Sequence, residues 1–250
     1  TGAAVTIDVA NNVAIDAASN GNTAATQATS AYDGVAPTVA IQNVPVNSNA
    51  AFTATFEFSE DVTGFALGDI TLVNATASTF ASVDDNTYTA LITPTGAAVT
   101  IDVANNVAID AASNGNTAAT QAASAYDGVA PTVAIQNVPA NTNGAFTATF
   151  EFSEDVTGFG LGDVTLGNAS ISAFATVDAN TYTALITPTG ASGSVVTIDV
   201  ASDVANDVAN NGNTAASQVA STYDVVAPTV SIQNVPANIN AAFTATFEFS

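Results

Sequence analysis

The chain repeats itself. The string APTVAIQNVP occurs at residues 36–45 and again at 130–139, and it returns at 227–236 with Ser in place of one Ala. The proline at its second position recurs after 94 residues and then after a further 97. In tandem arrays of modules this small, each copy buries its own core and contacts mainly its neighbours. The repeat therefore predicts a row of similar small domains.

Both ends of the chain lie inside copies of the repeat. Residues 1–33 recur at 95–127 with a single change, so the chain opens in the last part of a copy. The central strands of a repeat have no counterpart in either end segment, and we expect them to continue in a longer array of the same chain. Strands donated by neighbouring chains are the alternative. The predicted parts are a C-terminal part of a repeat (1–33), two complete repeats (36–127 and 130–224) and an N-terminal part of a repeat (227–250).

All the charge of the chain is negative. It contains 22 Asp and Glu but no Lys, Arg, His or Cys, which gives a net charge of −22. Because no cationic side chain is available for a phosphate, nucleic acid and anionic membrane surfaces are excluded as partners. The usual general bases and nucleophiles are missing, so we expect no enzyme activity. No apolar run is long enough for membrane insertion. Either a solvated surface suited to salty water or bound divalent cations would explain the acidity.

Apolar and polar side chains alternate with a period of two. In AFTATFEFS, Phe52, Phe56 and Phe58 fall on one face, while Thr53 and Glu57 fall on the other. This is the pattern of a strand with one buried side. Similar short segments follow along the repeat, separated by turns rich in Asn, Gly, Asp and Pro. Seven such strands predict an all-β fold of tandem antiparallel β-sandwich repeats, each of about 95 residues.

Several strings of the first complete repeat are typical of one family. They are APTVAIQNVP, FTATFEFSEDVTGFALGDITL, TYTALITPTG and VTIDVANNVAIDAASNGNTAA. These strings resemble the bacterial Ig-like repeats of very large secreted adhesins and surface proteins, and the resemblance covers essentially the whole chain. It implies an Ig-like β-sandwich and an extracellular or cell-surface location. The chain departs from the usual pattern in its lack of basic residues and its Asn-rich loops.

Acidic and amide side chains collect in two loops of each repeat. In an Ig-like sandwich the loop after the second strand and the loop between the last two strands meet at one pole, beside the entering linker. Here these are residues 60–69 and 105–116, with Asp33 in the linker. Ca²⁺ takes six to eight oxygen ligands of the kind these loops offer. The candidate ligands are Glu60, Asp61, Asp69, Asp110, Asn114 and Asn116, with Glu154, Asp155, Asp163, Asp207, Asn211 and Asn213 in the next repeat.

The resemblance implies Ca²⁺ at such poles or linkers, because large adhesins of this kind often carry it there. A second explanation for the same residues is local. Loops favour Asp and Asn because their side chains bond their own backbone and tolerate left-handed conformations. Asn74 and Asn168 also fit the acceptor pattern for N-linked glycans, a pattern that arises often by chance in a chain rich in Asn and Thr.

Short proline-containing links, YDGVAPT or YDVVAPT, join the repeats. Proline restricts its own backbone and that of the preceding residue, which predicts a semi-rigid rod. We expect a noncatalytic structural array of an extracellular filament, matrix fibre or adhesin stalk, whose partners are neighbouring repeats and copies of itself. The alternative is a binding module that presents carbohydrate, ice or receptor sites. That alternative predicts exposed aromatic platforms or a loop elaborated in one repeat.

Overall fold

The computed structural model describes residues 4–250, which divide after Gly128 into two compact units. The first unit holds a two-stranded N-terminal segment and the first complete repeat. In that segment β1 (Ala4–Ile7) pairs antiparallel with β2 (Ala28–Ala31). Across the described residues, no helix is long and apolar enough to cross a membrane.

The first complete repeat is a sandwich of two four-stranded sheets. Its strands are β3 (Val39–Gln42), β4 (Asn47–Ser48), β5 (Phe52–Phe58), β6 (Ile70–Val73), β7 (Ala75–Ser82), β8 (Thr87–Pro94), β9 (Ala98–Val103) and β10 (Ala122–Tyr126). One sheet has the order β3–β5–β8–β7, and the other has the order β4–β10–β9–β6. Neighbouring strands are antiparallel, except that β4 and β10 run parallel. One turn of 3₁₀ helix (Leu67–Asp69) precedes β6.

The second unit begins with a repeat of the same topology. Its strands are β11 (Val133–Gln136), β12 (Asn141–Thr142), β13 (Phe146–Phe152), β14 (Val164–Gly167), β15 (Ala169–Thr176), β16 (Thr181–Pro188), β17 (Val195–Val200) and β18 (Val219–Tyr223). The sheets have the orders β11–β13–β16–β15 and β12–β18–β17–β14, with a 3₁₀ turn at Leu161–Asp163. A two-stranded segment of β19 (Val230–Gln233) and β20 (Thr246–Phe249) follows.

Each complete repeat closes its own hydrophobic core between its two sheets. In β5, Phe56 and Phe58 are 0% and 1% exposed, as the alternating pattern predicts. The ring of Phe65 packs against Phe58 and Tyr88, at centroid distances of 5.1 and 5.2 Å. Ile101 of β9 covers this cluster from the opposite sheet and is itself fully buried. The predicted all-β sandwich is therefore confirmed.

The first strand of the repeat changes sheets, a feature that the sequence pattern did not predict. Asn43 has a left-handed backbone with φ of 57°, and its Nδ2 donates to Thr55 Oγ1 at 2.9 Å. Pro45 then removes a backbone donor, so the strand cannot continue its ladder. The chain crosses to the other sheet, where the short β4 pairs with β10. The segment from β3 to β4 thus contributes one strand to each sheet.

A buried hydroxyl pair under β4 differs between the two repeats. In the first repeat, Ser48 Oγ and Ser124 Oγ lie 3.0 Å apart and are hydrogen-bonded. In the second, Thr142 replaces the first serine, and its Oγ1 donates to Gly144 O at 2.7 Å. Ser221 Oγ is left buried and without a hydrogen-bond partner among the described residues. The same serine is therefore satisfied in one repeat and unsatisfied in the other.

We expect Ser124→Ala and Ser221→Ala to differ in their effects. The first removes a made hydrogen bond and should cost about 1 kcal/mol of unfolding free energy. The second removes a buried hydroxyl that is desolvated without gaining a hydrogen bond, so the substitution should be neutral or stabilising. Hydrogen exchange of core amides, followed separately in each repeat, measures both. Equal destabilisation by the two variants would contradict the expectation.

Candidate metal centre

A buried asparagine organises the loop between β9 and β10. Asn116 is 1% exposed, and its Oδ1 accepts hydrogen bonds from the backbone N–H groups of Val107 and Ala108, at 2.9 and 2.8 Å. Its Nδ2 donates to the carbonyls of Ala104 and Thr117, at 2.9 and 2.8 Å. Both atoms of the amide are engaged with backbone. Asn116 therefore shapes the loop and offers no oxygen to a cation, which corrects its place among the predicted ligands.

Asp110 lies further along the same loop and is held by two neighbours. Its Oδ1 accepts from the backbone N–H groups of Ala112 and Asn114, at 2.9 and 2.8 Å. The Asn114 Nδ2 donates to Asp110 Oδ2 at 2.8 Å and to the backbone carbonyl of Asp33 at 3.2 Å. Asn114 thus joins the loop to the entering linker, and its amide nitrogen, rather than its oxygen, faces the carboxylate.

These hydrogen bonds keep Asp110 ionised. The side chain of Asn114 lowers the pKa of Asp110 below its ordinary value, with help from backbone N–H groups and against the opposing effect of burial. A lowered pKa in the fold means that these bonds stabilise the loop at neutral pH, and that this stabilisation is lost as the pH falls through the lowered value. Asp110 is therefore a buried carboxylate that is charged at neutral pH.

Three carboxylates from three parts of the first unit converge at this pole. Asp33 of the linker, Glu60 after β5 and Asp110 each offer an oxygen, and the three oxygens lie within 4.8 Å of one another. Ca²⁺ binds oxygen at about 2.4 Å, so two ligands on opposite sides of one ion are about 4.8 Å apart. The spacing of the cluster therefore fits a single hard cation. A cleft beside it is also lined by Asp61 and Asn86.

Backbone hydrogen bonds fix the loops that carry the cluster. Thr63 and Ile109 exchange two of them, with N–O distances of 2.8 and 3.0 Å. Thr117 N–H donates to the carbonyl of Pro37 at 2.8 Å and fastens the linker to the same pole. The charges are thus held together by the fold, and no Lys, Arg or His exists in the chain to balance them.

The second repeat has the same arrangement. Glu154 and Asp207 offer carboxylate oxygens within 4.8 Å of one another. Asp207 accepts from Asn211 N and from Asn211 Nδ2, both at 2.8 Å. Asn213 hydrogen-bonds through both atoms of its amide to the four backbone groups of the second repeat that are equivalent to the partners of Asn116. The pole is therefore a repeated feature of the chain.

Two predicted ligands lie at a different place in the fold. Asp69 and Asp163 belong to the 3₁₀ turns, where each accepts a hydrogen bond at 2.8 Å from the backbone N–H of Ala66 or Gly160. They cap these turns and are not members of the convergent carboxylate group, so their role as cation ligands stays a prediction.

The adjacent acidic residues of the turn after β5 and β13 are closer to the site. Asp61 lines the cleft without being one of the three convergent carboxylates, and Asp155 is its equivalent in the second repeat. Asp33 is a residue that the predicted ligand set left out. The sequence nevertheless placed it in the linker that enters this pole, in the recurring Tyr-Asp pair.

The comparison with protein families decides the identity of the repeats. A bacterial Ig-like domain matches the chain twice, at residues 33–126 and 127–223. The chain belongs to the bacterial Ig-like domain family. The resemblance drawn from the sequence strings and the predicted Ig-like fold are both confirmed. No curated protein matches the chain.

Solved structures that resemble these Ig-like repeats include a bacterial integrin-binding protein and a bacterial adhesin. Invasin, a bacterial integrin-binding protein, is 16% identical over 83% of this chain, with a TM-score of 0.41. The I9–I11 tandem of titin is 11% identical over 77% of the chain and 67% of its own, with a TM-score of 0.34. The adhesin InvE of Yersinia pseudotuberculosis is 16% identical over 76% of the chain and 59% of its own, with a TM-score of 0.25. The chain spans 44% of the invasin chain.

The two candidate glycan acceptors of the Ig-like repeats have a structural role. Asn74 and Asn168 each have a left-handed backbone with φ of 54°. The Nδ2 of each donates at 2.8 Å to a backbone carbonyl, that of Ala98 or Val195. The nitrogen that an N-linked glycan would occupy is thus hydrogen-bonded within the turn. A glycan at either position stays a prediction.

Proposed function

We propose that the chain is a noncatalytic structural array outside a bacterial cell, in which each Ig-like repeat is a spacer with its own core. The observation that carries this proposal is the equivalence of the two cores. Phe56 and Phe150 are both 0% exposed, and Phe58 and Phe152 are both 1% exposed. Repeats that each have their own core can be added or removed without disturbing their neighbours. This suits a protein that spans a distance from the cell.

The surface of the complete repeats supports a spacer over a carbohydrate-binding module. Sugar-binding sites of the kind expected from sequence would expose aromatic rings. Between residues 36 and 224, the exposed large hydrophobic side chains are all aliphatic; they are Val46, Leu67, Val73, Val83, Ile109, Val129, Leu161, Val177, Val195 and Val208. The rings of the first repeat instead pack on one another, as Phe65 does with Phe58.

Calcium at the poles is the finer part of the proposal. Asp33, Glu60 and Asp110 bring negative charges within 4.8 Å, where two unit charges repel by about 1 kcal/mol in water and by more where solvent is partly excluded. A bound Ca²⁺ would turn this repulsion into attraction and join linker, turn and loop. The ion would fix the linker against the repeat that follows it.

Assembly with copies of the same chain in a filament or matrix fibre completes the proposal. A net charge of −22 opposes close approach of two chains, so lateral contact needs cations between them or faces with few charges. Electron micrographs of native material distinguish continuous fibres from isolated strings of repeats.

The spacer proposal predicts that the two complete repeats unfold independently of one another. Phe56→Ala should destabilise the first repeat by about 3–5 kcal/mol, because it leaves a cavity in a fully buried site. Hydrogen exchange of the amides in β13 and β16 should not change. Phe150→Ala is the matched variant and should reverse the pattern. Loss of protection in both repeats from either change would show one cooperative unit and would overturn the proposal.

A further inference from the structure

The second repeat contains an insertion beside its exit. Six residues connect β16 to β17, whereas three connect β8 to β9. Tyr126 N donates to Ala97 O at 2.8 Å, and Tyr223 N donates to Ser194 O at 2.9 Å, so Ala97 and Ser194 are equivalent. The added residues are therefore Ala191, Ser192 and Gly193. They account for the difference between the 94-residue and 97-residue repeats.

The inserted residues contact the link that leaves the repeat. Ser192 Oγ donates to Asp224 Oδ1 at 2.8 Å and accepts from Val225 N at 3.1 Å. Gly193 N donates to Tyr223 O at 2.6 Å, from a backbone with φ of 90° that favours glycine. Three consecutive residues of the link are thus bound to two consecutive residues of the insertion.

The link itself differs at the same junction. Val225 stands where Gly34 and Gly128 stand in the other two links. A Cβ added to Gly34 would lie 2.9 Å from the Tyr32 hydroxyl, and one added to Gly128 would lie 2.6 Å from that of Tyr126. In those links the tyrosine tip therefore rests against the glycine backbone, and a valine would displace it. Insertion and substitution occur together, at one junction of three.

We infer that Ala191–Gly193 is a clamp on the link at residues 223–226, and that it makes this junction stiffer than one joined through Tyr-Asp-Gly. Serine hydroxyl and glycine N–H replace the tyrosine–glycine packing that Val225 excludes. The chain then contains junctions of two different stiffnesses. The difference is set by the length of the loop between β16 and β17 and by the side chain of Val225. The clamp acts at this junction whether or not the repeats serve as spacers.

The carboxylate of Asp224, at the centre of the clamp, accepts more than one hydrogen bond. Asp224 Oδ1 also receives the N–H of Val226, at 2.8 Å. This backbone hydrogen bond, followed by the Ser192 hydroxyl, lowers the pKa of Asp224 against a small opposing effect of burial. The first link has the same turn without the serine, with Val35 N donating to Asp33 Oδ1 at 3.1 Å. The insertion thus adds to a turn that the links share.

The test compares the two links in the intact chain. Backbone ¹⁵N relaxation and amide exchange report on Val225 and Val226, with Gly34 and Val35 as the internal reference. We expect the clamped amides to be more ordered and to exchange roughly tenfold more slowly, since the insertion supplies the Ser192 hydroxyl as an added acceptor for Val225 N–H. Ser192→Ala, and separately deletion of Ala191–Gly193, should bring them to the level of the reference. Ser194→Ala, which leaves the clamping hydroxyl in place, is the control.

Two outcomes would overturn the clamp. One is that residues 225 and 226 of the unaltered chain are as mobile as residues 34 and 35. The other is that neither Ser192→Ala nor the deletion changes them. Exchange in β13, measured in the same samples, shows whether the second repeat is still folded in each variant, so that a loss of order in the link is not mistaken for unfolding.

Discussion

Chelation of divalent cations is expected to lower the melting temperature of both complete repeats. A ligand present at about 100 times its dissociation constant stabilises a fold by about 2.7 kcal/mol, which corresponds to roughly 10–20 °C for a domain of this size. The loss comes from the poles, where Asp33, Glu60 and Asp110 would face one another without a counter-ion. Thermal unfolding with Ca²⁺ and with excess EDTA measures the shift.

Glutamate variants locate the effect. Glu60→Gln with Glu154→Gln keeps side-chain size but removes one charge from each pole. It should abolish most of the Ca²⁺-dependent shift and raise the stability of the cation-free chain, because a repulsion is lost. Glu57→Gln with Glu151→Gln is the matched control, since these glutamates lie on the outer sheet face beside Gln42 and Gln136. Identical melting curves with Ca²⁺ and EDTA would refute a stabilising cation.

Replacement of Asn116 by Ala is expected to cost about 3–5 kcal/mol in the first repeat. The change leaves the N–H groups of Val107 and Ala108 without the acceptor that the Asn116 side chain supplies. It also removes donors to two carbonyls of the same loop. Denaturant unfolding of the variant gives the cost, and amide exchange assigns it to the first repeat.

Asn105→Ala is the control for this loop, because Asn105 is exposed in the same Asn-rich stretch. It should change the unfolding free energy by less than about 0.5 kcal/mol. Asn213→Ala should repeat the large loss in the second repeat. If Asn116→Ala were as mild as its control, the buried amide would not be the residue that shapes the loop.

Much of the fold follows from the sequence because its signals are local. The alternation in Phe52–Phe58 fixes a buried face, and the recurrence of the whole string fixes the size of the module. The change of sheet at Asn43 depends on a left-handed residue followed by Pro45, and the sequence pattern of one apolar run does not distinguish it from a continuous strand.

The candidate site was predicted only in part, because residues of the same type have different structural roles there. Asn114 and Asn116 are two residues apart, yet one orients a carboxylate while the other is saturated by backbone. The sequence does not distinguish these two asparagines, because they differ in how deeply the fold buries their side chains. Asp33 joins the cluster only because the linker folds against the pole, a contact between residues far apart in sequence.

The parallel pairing of β4 and β10 has a mechanical consequence. The chain passes through β3 and then β4 at the start of the repeat and leaves it just after β10, and β4 and β10 run in the same direction. Once β3 has separated from β5, a pull on the two ends slides β4 along β10, and it loads the backbone bonds from Ala125 N to Val46 O and from Asp127 N to Ser48 O together rather than in turn. Bonds loaded in this way must break together, so this patch of two short strands should resist extension and give a force peak when single molecules are pulled.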